Sequence, residues 1–232
     1  MPERELIELL SSDHLLSDDR TLVLVEHGLG DADAAEIVAN LAQKELVALD
    51  LRGNSIGDAG AKSFAAALCT DTCTLQSLSL WGNRIGVEGA MALSAALEQN
   101  RSLTALDLGK QDEASADHGD RVAELFASAI RASTSLCSLD LRYCGITSLG
   151  ATVLAAALPK NTSLRQLDLR YNAIGAEGAT ALAVGLSKNS TALRVWVKAN
   201  KYDDKDAAAL ADFLESDPSL APLAAGQERL WF

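Results

Sequence analysis

Aromatic residues make up only 4% of this 232-residue chain, and it holds three histidines and four cysteines. Each shortage excludes something. With so few rings to fill space, a core drawn from 48% hydrophobic residues must be built of Leu, Ala, Val and Ile. His14, His27 and His118 stand in three unrelated settings. No G-x-S-x-G, Walker or H-E-x-x-H pattern occurs, so no catalytic constellation or catalytic metal site is expected. Cys69, Cys73, Cys137 and Cys144 form no C-x-x-C pair. In a chain whose N-terminus, MPERELIELL, carries charges where a secretory signal would be apolar, they read as reduced thiols of a cytoplasmic protein. No apolar run approaches the ~20 residues that cross a bilayer. Lys and Arg number 20 against 32 Asp and Glu, a net charge of −12. A surface of that sign disfavours nucleic acid, whose binding rests on cations that neutralise phosphates. It suits a basic partner, or it simply keeps an Ala- and Leu-rich chain in solution.

What the chain has in abundance is one repeated unit. Leu164–Ser190 reads LRQLDLRYNAIGAEGATALAVGLSKNS. Leu167 and Leu169 alternate as a half-buried strand requires, and Leu182 and Leu186 recur at helical spacing. Asn172, Ile174 and Gly175 turn the chain between them. A strand and a helix this short cannot bury both apolar faces alone, so the unit needs copies of itself on either side. Starts at Leu46, Leu75, Leu103, Leu136, Leu164 and Leu193 give spacings of 29, 28, 33, 28 and 29. With a degenerate first copy the expected repeats are 19–45, 46–74, 75–102, 103–135, 136–163, 164–192 and 193–219. Residues 1–18 are expected to form a helical N-terminal cap, and 220–232, with Leu230, Trp231 and Phe232, a C-terminal cap over the last repeat.

Asn54, Asn83, Asn172 and Asn200 recur where the chain leaves the strand, where an amide can satisfy backbone groups on both sides of a turn. Gln111 and Cys144 take that place in repeats four and five. Gly60, Gly89, Gly150 and Gly178, each followed by Ala, open the helices where backbones pass close together. Strands ~4.8 Å apart beside helices ~10 Å apart force the stack to bend toward its strands, which gives a groove about 30 Å long.

These residues resemble leucine-rich repeats of the ribonuclease-inhibitor type over about 200 of the 232 residues. The wording LRGNSIGDAGAKSFAAAL and LWGNRIGVEGAMALSAAL is most similar to the repeat regions of NOD-like receptors and Ran GTPase-activating proteins. The resemblance implies a right-handed α/β horseshoe solenoid, with a parallel sheet on the concave face, helices on the convex face and an asparagine ladder. It also implies a non-catalytic protein–protein interaction module without a cofactor.

Three columns of strand residues face the groove. The first is Ala48, Ser77, Ala105, Ser138, Gln166 and Arg194; the second is Asp50, Ser79, Asp107, Asp140, Asp168 and Trp196. The third is Arg52, Trp81, Gly109, Arg142, Arg170 and Lys198, with Tyr143 and Tyr171 beyond it at the rim. Asp50–Arg52, Asp140–Arg142 and Asp168–Arg170 are spaced to pair, each worth ~0–1 kcal/mol. The candidate partner-binding residues are Trp81, Arg142, Tyr143, Arg170, Tyr171, Arg194, Trp196 and Lys198, since Trp, Tyr and Arg are the residue types enriched at binding hot spots. They centre on repeats five to seven, where four cations face Asp140 and Asp168. Trp196 and Arg170 are expected to serve binding with little part in stability.

The repeat-four insertion, 109–121, holds Asp112, Glu113, Asp117, His118 and Asp120. It lacks cation-loop spacing and reads as a solvated acidic loop, with weak divalent-cation binding as the sharper possibility. Ran GTPase-activating proteins carry an important arginine in such a loop, and Arg121 is its nearest counterpart, in a shorter array without that family's acidic tail. The expected function is partner binding on the concave face of a cytoplasmic monomer. The alternatives are GTPase activation, or a structural or assembly role such as a piece of a larger receptor-like protein.

Overall fold

The structure is a computed structural model that describes residues 20–112, 116–191, 193–201 and 230–231. The expected cap at 1–18, the helix of repeat seven with Ala207, Leu210 and Leu214, and all of the expected C-terminal cap but Leu230 and Trp231 lie outside the described residues.

Strands and helices alternate as the two periods require. Strands β1 (Thr21–Val23), β2 (Ala48–Asp50), β3 (Ser77–Ser79), β4 (Ala105–Asp107), β5 (Ser138–Asp140), β6 (Gln166–Asp168) and β7 (Arg194–Trp196) lie in chain order in one parallel sheet. Helices α1 (Asp31–Lys44), α2 (Asp58–Leu68), α3 (Val87–Gln99), α4 (Ala116–Ala132), α5 (Ser148–Ala157) and α6 (Ala176–Ser187) connect them, each packed on the next. Leu22, Leu49, Leu78, Leu106, Leu139, Leu167 and Val195 are in register across the seven strands, and all are buried. Phe64, Leu93, Phe126, Leu154 and Leu182 meet them from the helix layer. Burying each such side chain stabilises the fold by ~1.5–3 kcal/mol, and the core runs unbroken from one repeat to the next. This is the expected α/β solenoid. Leu230–Trp231 forms an eighth strand, β8, parallel to β7 with Trp231 opposite Trp196.

Three polar rails stitch the repeats together, and the expected asparagine ladder is one of them. Asn83 is fully buried, donates to the Leu51 and Leu80 carbonyls and accepts from the Ile56 amide. Asn54, Asn172 and Asn200 repeat the pattern, and Gln111 reproduces it with one more methylene. Cys144 substitutes weakly. Its thiol lies 3.5 Å from the Leu108 carbonyl, and burial raises its pKa so far that it stays a protonated, inert donor.

The second rail runs along the turns that follow the helices. Asn100 and Asn161 each donate to a carbonyl in the helix of the previous repeat (Leu68 of α2 and Ile130 of α4) and accept from two amides of their own loop. Asn189 donates to the Leu158 and Asn161 carbonyls. The third rail caps helices across the repeat boundary. Asp31 accepts from the Gly57 and Gly60 amides, Asp58 from Gly86 and Gly89, and Asp120 from Thr147 and Gly150. The N-terminal amides of α2, α3 and α5 are therefore satisfied by the previous repeat. Gly60 is required there, because a β-carbon on it would stand 2.8 Å from Asp31 Oδ1 and 2.6 Å from Ile56 Cγ2.

The insertion departs from expectation. Helix α4 begins at Ala116, so Asp117, His118, Asp120 and Arg121 are helical rather than part of a solvated loop. Asp120 is a structural cap, and Asp112 pairs with Arg84 at 3.1 Å. No metal-ligating cluster occurs among the described residues. Arg121 is bound to Glu124 one helical turn on, at 2.6 Å, so it is not presented from a loop. No helix among the described residues is long and apolar enough to cross a membrane.

Candidate protein-binding face

The alternation that buries the central leucine of each strand turns its two flanking residues into the groove. The three columns form as expected, and the structure divides them into two dissimilar halves.

In the C-terminal half the aspartates and arginines lock together. Arg170 donates from Nε and Nη2 to both carboxylate oxygens of Asp168, the closest pair at 2.6 Å. Arg142 pairs with its own Asp140 at 2.6 Å and reaches Asp168 of the next strand at 3.5 Å. These hydrogen-bonded carboxylates hold the Arg142 and Arg170 guanidinium pKa values above their ordinary level. Arg194 and Lys198 are exposed beyond them.

Tyr143 and Tyr171 stand at the rim, 42% and 46% exposed, with ring centroids 4.5 Å apart and planes 4° from parallel. Both have left-handed backbone, φ 56° and 58°, at the repeat position where Gly53 and Gly82 stand earlier in the chain. Glu26, Lys110 and Ala199 also take left-handed backbone at this position, so the turn does not call for an aromatic side chain, and the two tyrosine rings, left without burial, gain from the fold only their own stack.

Trp196 does not fit the expectation of an exposed side chain with little part in stability. It is half-buried, and β8 lies alongside it with Trp231 in register. Arg170, engaged by both oxygens of Asp168, is likewise part of the fold's own ion-pair chain.

In the N-terminal half the first column is small throughout: Thr21, Ala48, Ser77, Ala105 and Ser138. The groove floor is correspondingly open. A cavity of about 440 Å³ lies over it, edged by Asp50, Arg52, Asp107 and Asp140. An adjoining cavity of about 340 Å³ shares Arg52 and Asp107 and is walled by Val25, Glu26, Gly53, Trp81 and Arg142.

Trp81 can lie where it does because Gly109 is next to it. A β-carbon on Gly109 would stand 2.6 Å from the indole Cδ1. The Lys110 ammonium sits 4.9 Å from the Trp81 ring centroid. The indole Nε1 is buried with no hydrogen-bond partner among the described residues, which ordinarily costs ~1–3 kcal/mol. So of the eight candidate residues, the structure groups Tyr143, Arg170 and Tyr171 with Arg194, Trp196 and Lys198, and Arg142 stands between the halves, reaching Asp168 on one side and walling the Trp81 cavity on the other. Trp81 belongs to the other half.

Sequence reasoning passed over Asp107. Because Gly109 stands two residues on, it is the one aspartate of its column without an arginine there, and it accepts instead from Ser79 Oγ and the Gly109 amide. Burial first, and the neighbouring Asp140 charge second, push its carboxyl up to about 6. The available signal was the break in D-x-R: DLR at residues 50, 140 and 168, but DLG at 107.

A Leucine Rich repeat family model matches residues 45–65, 72–94, 132–155 and 160–183. No curated protein matches the chain. Among solved structures, leiomodin-1 actin-binding site 2 is similar at 21% identity over 42% of this chain and 58% of that one, with a TM-score of 0.38. A protein from Bacteroides fragilis is similar at 15% identity over 89% of this chain and 66% of that one, with a TM-score of 0.48. The chain thus spans less than two thirds of the length of either solved neighbour. The matched family is a repeat family and names no catalytic activity. By these four matches and by its fold, the chain carries leucine-rich repeats and is an α/β solenoid built from them.

Proposed function

We propose that this protein is a non-catalytic interaction module that holds a protein partner on its concave face, acting as a cytoplasmic monomer without a cofactor. The observation that carries the reading is the Tyr143–Tyr171 stack, two exposed rings in left-handed backbone with Arg142 and Arg170 preceding them in the chain. Exposed tyrosines offer large contact area at low side-chain entropy cost, and beside arginines they have the composition of an interface centre. Lys198 and Arg194 extend the patch. The four cysteines are free thiols, consistent with a reducing compartment.

The test compares wild type with a Tyr143→Ala/Tyr171→Ala/Lys198→Glu variant in affinity capture, followed by crosslinking of the captured partner. These three side chains are exposed, so the variant should keep its thermal midpoint within a few degrees. A partner retained by wild type, crosslinked to β5–β7 and lost from the variant supports the reading. A partner held equally by both places binding elsewhere.

A further inference from the structure

The N-terminal half of the groove has features that the tyrosine patch does not explain. Its floor is five small residues wide, its wall is a tryptophan, and its charges do not cancel. Asp50, Asp107, Asp140 and Glu26 border the two cavities against Arg52 and Arg142. Arg52 is committed to Asp50 at 2.6 Å and Arg142 to Asp140 at 2.6 Å. Asp107 and Glu26 have no ion-pair partner among the described residues.

The geometry points to this trough as a second subsite that takes an arginine- or lysine-bearing extended segment of the partner, with one cationic side chain seated against Asp107 beside Trp81. The inference rests on the concave face being the binding face, and on nothing else in the reading above.

Three observations support that occupant. Chain-wide charge is −12, which steers a basic segment inward. The trough is bounded by a carboxylate whose two hydrogen bonds come from neutral donors, Ser79 and the Gly109 amide, which leaves its charge uncompensated by any paired cation. The Trp81 ring takes a cation over its face, here the Lys110 ammonium, with which an incoming cation competes for the ring. An anionic or purely apolar segment would cover Asp107 and Glu26 without giving either an ion-pair partner of its own.

Protonation of Asp107 should therefore compete with the ligand. The groups that face Asp107 are Asp140, Arg142 and the Cys144 thiol from the β5 side, and Arg52 from β2. Glu26 and Lys110 stand at the margins of the trough. The arginines keep their charge throughout and Cys144 keeps its proton. Asp107, near 6, changes charge between pH 5 and pH 7.5.

The probe is a fluorescein-labelled heptapeptide with arginine at alternate positions, read by anisotropy against the full chain at fixed ionic strength. Arginine does not titrate in this range, so the pH response belongs to the protein. The expected results are saturable binding at pH 7.5, about tenfold weaker binding at pH 5, and little binding of the glutamate counterpart peptide. Asp107→Asn should weaken binding about tenfold at pH 7.5 and flatten the pH dependence. Ser77→Leu should block binding by filling the floor without changing charge.

Glu98→Gln, which removes the same charge from the exposed end of α3, should leave affinity within twofold. If Glu98→Gln weakens binding as much as Asp107→Asn, the attraction is diffuse and the subsite is overturned. It is also overturned if the tyrosine variant abolishes peptide binding while Asp107→Asn and Ser77→Leu do not. That result would leave the tyrosine-centred reading standing. Peptide binding that is intact in the tyrosine variant, with a captured partner that ignores that variant, would sink the tyrosine-centred reading and leave this subsite.

Discussion

One backbone frame carries two unlike surfaces. At the left-handed position after the strand, repeats two and three have Gly53 and Gly82, while repeats five and six have Tyr143 and Tyr171. In the first column the early repeats have Thr, Ala and Ser, and the late ones Gln166 and Arg194. In the second column Asp107 stands without its arginine while Asp168 has two. The early half is an open acidic trough, and the late half is a raised, cation-rich wall. Register is conserved strand to strand, so the difference comes from side chains alone. A solenoid can specialise its ends separately because each repeat contacts only its neighbours.

The largest expected effect lies in what the halves share. Asn83 is fully buried with hydrogen bonds to two repeats, so Asn83→Ala should orphan the Ile56 amide and leave the Leu51 and Leu80 carbonyls with one ladder donor each, Asn54 and Gln111, in place of two. A loss of about 3 kcal/mol is expected in denaturant unfolding, in keeping with the breaking of a buried network. A loss below about 1 kcal/mol would mean that the frame is held by the core alone.

Next comes a pair of identical substitutions in one column with opposite signs. The Asp107 carboxyl titrates at about 6 when folded, against 3.8 as its ordinary value. Its contribution to stability is therefore complete below pH 3.8 and is lost as pH rises through 6. Asp107→Asn removes that loss, so at pH 7.5 it should stabilise the protein by about 1–3 kcal/mol, and near pH 3.5 it should change little. Asp168→Asn instead leaves Arg170 and Arg142 short of their shared anion and should destabilise by about 1–2 kcal/mol at pH 7.5. Chemical unfolding of the two variants at both pH values reads this directly. The same sign for both at pH 7.5 would abolish the distinction between trough and wall. A substitution that strengthens the fold while weakening peptide binding is the signature of a residue kept for function.

How much of this the sequence exposes depends on whether a feature lies within one repeat or between two. Leucine spacing locates β1 to β7 but not β8, and the D-x-R pairs foretell three ion pairs, because both ends of each interaction sit two residues apart. The rail of Asn100, Asn161 and Asn189 is also present as text, in NRSL, NTSL and NSTAL, yet its recurrence lies outside the strand–turn template and is easily read as loop. The Asp31, Asp58 and Asp120 caps are harder. Their partners are 26 to 31 residues away, so an aspartate in a helical first turn looks like ordinary dipole compensation. Asp120 consequently resembled loop charge. Trp81 and Gly109 form a complementary pair only when two columns are laid side by side, and Trp196 looks exposed until the returning Leu230–Trp231 strand is placed against it.

The rim position permits a finer test of the comparison. Tyr171→Gly should relieve left-handed strain while losing the stack on Tyr143, two effects of about 1 kcal/mol each that oppose one another. The net change in stability should stay within about 0.5 kcal/mol, whereas capture of the partner should fail. Gly53→Ala should behave differently. It adds strain at φ 68° and sets a β-carbon 2.7 Å from the flexible Glu26 Cγ, without creating a ring to stack. A loss of about 1 kcal/mol is expected there, with the tyrosine-dependent partner unaffected.

The smallest effect concerns the cation over the trough wall. Lys110 and Trp81 make a half-exposed cation–π contact worth ~0.5–1 kcal/mol, so Lys110→Ala should cost no more than that. Its value is diagnostic. Lys110 covers the same indole that the basic segment would approach, and its positive charge opposes the segment's entry. Removing it should therefore tighten the arginine heptapeptide by two- to threefold at pH 7.5, despite the small loss of stability. The Asp107→Asn/Lys110→Ala double variant should then recover only part of that gain, since the two side chains act on the same incoming charge. An unchanged or weaker affinity for Lys110→Ala would place the peptide's cation away from Trp81, over the Ala48–Ser77–Ala105 floor and the Asp50 end of the trough.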